Sequence, residues 1–393
     1  MNINRICMNC MSGTLDEQGI CSHCGEKDTS NGKRHLPVRT ILNGRFLVGK
    51  VIGEGGFGIT YIGYDLTFAI RVAIKEVCPK NIAGRDERDQ LTVLPYDEES
   101  ARILEYEKEK FIREARNLAK FRNEDGVVNI VDYFLENETA YIVMDYIEGT
   151  TLKNYLKLIN KRIEWEELLR LLGPLMTTLQ KMHEENILHR DINPDNIMIR
   201  RDRQKVYLID FGTARNMDSE YTMYSYINGG YTPIEQVNNS KEQGPWTDVY
   251  ALCATIYYCM SGKKVQPVTR RIVKDELENP DNIGMPIGMG KVLRKGLAIN
   301  KEDRIQSIKE LMEELYKEKE LQEVGEDELC EEKSLQMVEI EGEEPILHQD
   351  ASNADNSVYQ YKPVNYGSSF SGQLLVLAVL AVIYLMVIAK LFA

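Results

Sequence analysis

Five short motifs stand in a fixed order along the chain, and their order restricts the fold more than any other feature. They are Gly53-Glu54-Gly55-Gly56-Phe57-Gly58, then Val72-Ala73-Ile74-Lys75, then a helix-like stretch carrying Glu114, then His189-Arg190-Asp191 with Asn196 after it, then Asp210-Phe211-Gly212. A lone glycine-rich motif is weak. A dinucleotide-binding turn would need a helix directly behind it and an acidic residue about 20 positions on. Here the β-branched run Thr60–Tyr64 follows instead. The alternative is a glycine hairpin whose backbone N–H groups fold over nucleotide phosphates, and that version requires a lysine on the next strand. Lys75 meets the requirement. Glu114, flanked by the apolar positions Phe111, Leu118 and Phe121, is the favoured carboxylate to pair with it; Glu109 on the same stretch is the rival.

The later motifs carry the chemistry. Phosphoryl transfer needs a carboxylate to accept a hydroxyl proton and hard oxygen ligands to hold Mg²⁺ between phosphates. Asp191 suits the first task, and Asn196 and Asp210 suit the second. Val48–Ile52, Thr60–Tyr64, Val72–Val77 and Tyr141–Asp145 are strand-like runs. Glu166–His183, Asp248–Met260 and Ser307–Tyr316 have helical periodicity. Strands first and helices later predict an α+β fold with a small β-rich lobe before a larger α-rich one.

Residues 45–316 resemble the eukaryotic-type Ser/Thr protein kinases, including those found in bacteria. The resemblance implies a two-lobed kinase fold with ATP between the lobes. Gly53, Gly55 and Gly58 would cover the phosphates, Lys75 would position them, and Glu114 would orient Lys75. Tyr141-Ile-Val-Met144-Asp145-Tyr146-Ile147 looks like the hinge, so Met144, Asp145 and Ile147 would receive adenine. Asp248, within Trp246-Thr-Asp248, matches the residue that braces the catalytic loop, and Arg304 matches the partner of Glu235. Arg190 resembles the arginine that holds a phosphorylated activation segment, with Ser219, Thr222 and Ser225 as acceptors and self-association as the route. Protein Ser/Thr hydroxyls are the implied substrates. The chain also departs from the pattern. Asn193 replaces a lysine expected two residues after the catalytic Asp, Pro233-Ile234-Glu235 alters the Ala-Pro-Glu segment, and Thr60 replaces a valine. Lys75 and Glu114 stand 39 apart, which predicts an inserted loop within Cys78–Leu104. Asn193 keeps a second reading open, a membrane-tethered pseudokinase scaffold.

The two ends read differently. Cys7, Cys10, Cys21 and Cys24 form two CxxC pairs within residues 1–30, a spacing that suits one tetrahedral Zn²⁺ and resembles a zinc ribbon. Residues 31–44 read as a linker. No secretory leader is expected, so the thiols are expected to stay reduced. The net charge is −13, but twelve acidic residues against one lysine lie in 320–350, which leaves about −2 elsewhere. That distribution excludes a general nucleic-acid binder, which needs a basic surface. Residues 317–372 read as a flexible tether. Leu374–Ala389 is an unbroken run of sixteen apolar residues, and 373–393 is expected to form a single C-terminal membrane span with the soluble part cytoplasmic.

Overall fold

The computed structural model describes residues 5–317, apart from 29, 57, 160–161, 211–228, 239–241, 284 and 287. Strands β1 (Ile41–Leu42), β2 (Phe46–Glu54), β3 (Gly58–Asp65) and β4 (Ile70–Val77) run antiparallel in sequence order. The hairpin β5 (Ala83–Arg85)/β6 (Val93–Pro95) and helix α1 (Glu98–Ala119) come next in the chain. Strands β7 (Ile130–Glu136) and β8 (Thr139–Asp145) then complete a six-stranded sheet in the order β1-β2-β3-β4-β8-β7. Ile59, Tyr61, Val72, Ile74, Tyr141 and Val143 are fully buried and form the lobe's core. Gly58 is fixed by close approach: a Cβ there would lie 2.2 Å from the Glu76 carbonyl oxygen, so only glycine lets β3 meet β4 at the motif.

The expected insertion is present and carries the β5/β6 hairpin and the start of α1. Arg85, on β5, donates to the buried carboxylate of Glu76 at 2.5 Å. The hydroxyls of Tyr61 and Tyr141 each donate to the same group at 2.8 Å. A buried carboxylate is tolerated only when paired and hydrogen-bonded, so this network pins the insertion to the sheet. Helix α1 starts within the predicted loop, because Asp97 caps the Ser100 N–H at 2.7 Å and Glu98 and Glu99 follow in the first turn.

The expected linker also belongs to the sheet. It contains β1, buries Leu36 and Leu42, and its Leu36 N–H donates to the Tyr61 hydroxyl at 3.0 Å. Upstream, Ile6, Met8 and Met11 pack on Leu47 of β2 and Ile62 of β3. The Lys50 N–H donates to the Met8 carbonyl at 2.9 Å. The four-cysteine module is thus seated on the outer face of β2 and β3.

The second lobe follows β9 (Gly149–Thr151) with α2 (Leu152–Ile159) and α3 (Trp165–Glu184), then β10 (Ile197–Arg200) and β11 (Val206–Leu208). Strands β11, β10 and β9 pair in that order. Short α4 (Ile234–Val237), α5 (Pro245–Ser261), α6 (Val268–Arg271) and α7 (Met289–Gly296) come next, with helical backbone again over residues 308–317. Helix α3 buries Leu168, Leu172, Leu175, Met176 and Leu179, the predicted stripe, and α5 is buried on nearly all sides. Among the described residues no helix is long and apolar enough to cross a membrane. The run at 373–393 lies outside the described residues, as do Ser219, Thr222 and Ser225.

Candidate active site

The catalytic loop sits between α3 and β10, and α5 holds it from below. Asp248, in the first turn of α5, accepts from the His189 N–H at 2.8 Å and the Arg190 N–H at 2.7 Å. It also bonds His183 Nε2 at 2.8 Å. Burial opposes its charge, but the bond and charge of His183 outweigh burial and hold the carboxyl below its usual range. His189 Nδ1 accepts from the Asp191 N–H at 3.2 Å, so Nε2 carries the proton toward the Ile209 carbonyl at 3.3 Å. Burial pushes the His189 pKa down. Arg190 and Asp210 both sit at positive φ, 66° and 55°. Such residues cost about 1–3 kcal/mol each and persist only where the surroundings fix them.

Both oxygens of Asp191 are engaged by neighbouring amides. Asn193 Nδ2 donates to Oδ1 at 3.1 Å, and Asn196 Nδ2 donates to Oδ2 at 3.0 Å. The Asn196 nitrogen is therefore committed, which leaves its side-chain oxygen as the atom for a cation. Together with the Asp210 carboxylate this is a hard oxygen donor set, the kind Mg²⁺ prefers. The structure also bears on the missing lysine. Lys153, on α2, donates to Asp195 at 2.7 Å, which pairs an ammonium with a carboxylate of the catalytic loop.

Across the cleft, Lys75 lies on β4 opposite Thr60 and Ile142. Its ammonium pairs with Asp210. Burial pushes the Asp210 carboxyl up, but the charge and bond of Lys75, with His189 adding, bring it below its usual range. Lys75, Glu114, Met144 and Asp210 line one cleft, with Phe111, Leu118, Val128, Ile130 and Ile142 as its apolar wall. Asp145 and Ile147 continue from Met144 along the hinge and are not part of that wall, nor are Gly53 and Gly55. The Asp145 carboxylate accepts from Asn129 Nδ2 at 2.9 Å, which fixes the hinge to the strand before it. Glu235 and Arg304 form the expected buried pair at 2.7 Å, and Thr247 donates to the same carboxylate at 3.0 Å.

Sequence reasoning missed His183, and Asn193 as a support of Asp191. His183 had a signal, since it is a histidine on the buried face of an amphipathic helix. Asn193 is an ordinary polar residue that gains its role only through its partner.

The four cysteines form a second candidate site. Their sulfurs lie within 4.8 Å of one another, with Cys7–Cys24 at 3.8 Å and Cys10–Cys21 at 3.6 Å. Zn–S bonds of about 2.3 Å in a tetrahedron require sulfurs about 3.8 Å apart, so the cluster fits Zn²⁺. The His23 and Cys24 N–H groups point at the Cys21 sulfur at 3.3 and 3.5 Å. A Cβ on Gly13 would fall 2.4 Å from that sulfur, so glycine is required there.

A family model described as protein kinase domain matches residues 46–333. The chain belongs to the protein kinase domain family. The chain is 24% identical to serine/threonine-protein kinase B of Synechocystis sp. over 309 residues, 75% of this chain and 48% of that one. It is 27% identical to serine/threonine-protein kinase PrkC of Bacillus subtilis over 226 residues, 56% of this chain and 31% of that one. The chain spans about half the length, or less, of these curated relatives. Among solved structures, the apo form of PpkA-294 is 35% identical, with a TM-score of 0.65, covering 72% of this chain and 99% of that one. The kinase domain of Mycobacterium tuberculosis PknI, at 19% identity and TM-score 0.54 over 72% of this chain and 100% of that one, shares the fold.

Proposed function

We propose that the protein is an ATP- and Mg²⁺-dependent Ser/Thr protein kinase. The observation that carries the reading is the Lys75–Asp210 pair joined to the catalytic loop, where two amides hold Asp191: His189 bonds both the Asp191 N–H and the Ile209 carbonyl, and the Ile209 N–H donates to the Asn196 carbonyl. Lys75 binds phosphate oxygens, and the glycine-rich turn presents backbone N–H groups to them. Asp191 orients the Ser or Thr hydroxyl and accepts its proton as the γ-phosphate is attacked. Asp210 and the Asn196 oxygen would hold Mg²⁺, which supplies charge neutralisation between the phosphates. The test is phosphate transfer to a generic basic protein, with Asp191→Asn as control. A drop of at least about 10³-fold with Mg·ATP binding retained supports the reading. Equal transfer by both proteins, or none by the wild type, overturns it.

Three attributes complete the proposal. Arg190 Nε is buried with no hydrogen-bond partner among the described residues, which suits it to receive a phosphate from the activation segment. In the same assay, mass spectrometry should find phosphate within 213–232, placed there by a second copy. The four-cysteine cluster holds structural Zn²⁺. The apolar run at 373–393 anchors the kinase in the cell membrane with its catalytic part cytoplasmic. The full chain should therefore sediment with membranes, whereas a chain ending at residue 372 should not. Equal distribution of the two removes the anchor.

A further inference from the structure

Glu54 stands between Gly53 and Gly55, where β2 enters the glycine-rich turn. A carboxylate here is an electrostatic liability, because it lies beside the backbone that must receive phosphates. The structure surrounds it with donors. Arg34 Nε lies 3.2 Å and Lys80 Nζ 3.3 Å from Oε1, and His35 Nε2 lies 3.2 Å from Oε2. His35 Nδ1 accepts from the Gly32 N–H at 3.2 Å, so Nε2 carries the proton and donates to Glu54.

These donors come from two segments that no other part of the site uses. Arg34 and His35 belong to the stretch that joins the four-cysteine module to the kinase, and Lys80 belongs to the insertion. Each is itself fixed. Arg34 donates from Nη1 to the Ala83 carbonyl at 3.0 Å and from Nη2 to the Cys78 carbonyl. Arg85 donates back to the Arg34 carbonyl at 3.0 Å. The Lys80 N–H reaches the Gly56 carbonyl within the turn at 3.4 Å. The Glu54, Arg34 and His35 side chains are only 23%, 23% and 19% exposed, so solvent screens them less than an open surface pair. Burial raises the Glu54 pKa, but His35 and Lys80 outweigh it and lower it overall.

The consequence for nucleotide binding follows from entropy and charge. A turn with four glycines has high conformational freedom, and ordering it on binding subtracts from affinity. Fixing its first residue removes part of that cost in advance. Neutralising Glu54 also removes a repulsion that the triphosphate would otherwise meet. We propose that Arg34, His35 and Lys80 form a clamp on Glu54 that positions the glycine-rich turn for ATP phosphates, making the stretch before the kinase domain part of its nucleotide site. The clamp rests on the kinase reading above.

The test measures the dissociation constant for Mg·ATP by calorimetry on the full chain. The proteins are wild type, Arg34→Ala, Glu54→Gln, the double variant and Lys80→Gln. Lys80 is 52% exposed, so its replacement leaves folding intact. Arg34→Ala and Lys80→Gln are expected to bind about three- to tenfold more weakly. The double variant should bind no more weakly than Arg34→Ala alone, because the charge left uncompensated is gone. The KM for the protein substrate should stay unchanged, which a general loss of structure would not allow. Single-variant effects that multiply, or singles that bind as wild type does, overturn the clamp alone. A wild type that binds no Mg·ATP overturns the kinase reading and the clamp with it.

Discussion

At Asn193 an amide stands where an ammonium was expected, and the exchange changes the kind of help given to Asp191. An amide cannot neutralise a phosphate, but it can fix a base. Asn193 Nδ2 reaches both the Asp191 carbonyl at 2.9 Å and Oδ1 at 3.1 Å, while its own oxygen accepts from the Asp195 N–H at 2.9 Å. It is 2% exposed, so nothing else can take its place without moving the loop. Misplacing a reacting group by about 1 Å costs on the order of 10²-fold in rate. Asn193→Ala is therefore expected to lower kcat by about 10- to 100-fold while the KM for ATP changes less than about threefold. Steady-state kinetics at saturating ATP checks this. An unchanged kcat would show that Asn196 alone suffices to hold the carboxylate.

At the scale of elements, α5 acts through Asp248, which joins α3 to the catalytic loop. Asp248→Asn keeps the shape but removes the charge that His183 and two backbone N–H groups satisfy. Breaking such a buried, charge-assisted network costs about 2–4 kcal/mol, read from the denaturant midpoint. The sign with pH follows from the lowered carboxyl pKa. The stabilisation is fully present above the ordinary carboxylate value, near pH 4, and is lost as pH falls through the lower folded value. Wild type should thus lose stability below about pH 4 more steeply than the Asn variant. Equal slopes would assign acid loss to other carboxylates. The same contrast explains what was legible in the sequence. Glu166–His183 buries one face at a helical period, and Val72–Val77 is a short β-branched run buried on both faces, so their patterns declare them. Lys75, Asp191, Asn196 and Asp210 were legible because phosphoryl transfer dictates residue types in order. The place of the insertion was legible from the 39-residue spacing of Lys75 and Glu114, but its structure and that of the 31–44 stretch were not. They are polar and aperiodic, and their order comes from contacts remote in sequence, such as Arg85 with Glu76 and Leu36 with Tyr61.

For the whole molecule, the four-cysteine module bears on the catalytic lobe. A segment of about 25 residues cannot bury a core of its own, so bound metal would supply most of its folding energy. Yet Ile6, Met8 and Met11 cover Leu47 and Ile62 of the sheet, and Tyr146 of the hinge packs on the same cluster. Arg39 ties the two parts, donating to Asp28 at 2.8 Å and to the Ile6 carbonyl at 3.1 Å. Metal loss should therefore not be confined to the module. Stripping the full chain with a chelator under reducing conditions is expected to lower the melting temperature by several degrees and to raise binding of a hydrophobic dye, as the face of β2 and β3 opens. Affinity for ATP should fall in the same preparation, because the Arg34–His35 segment loses its upstream anchor. Adding Zn²⁺ back should restore all three. A stripped protein that melts and binds ATP as before would mean that the sheet holds this segment without help from the thiolates.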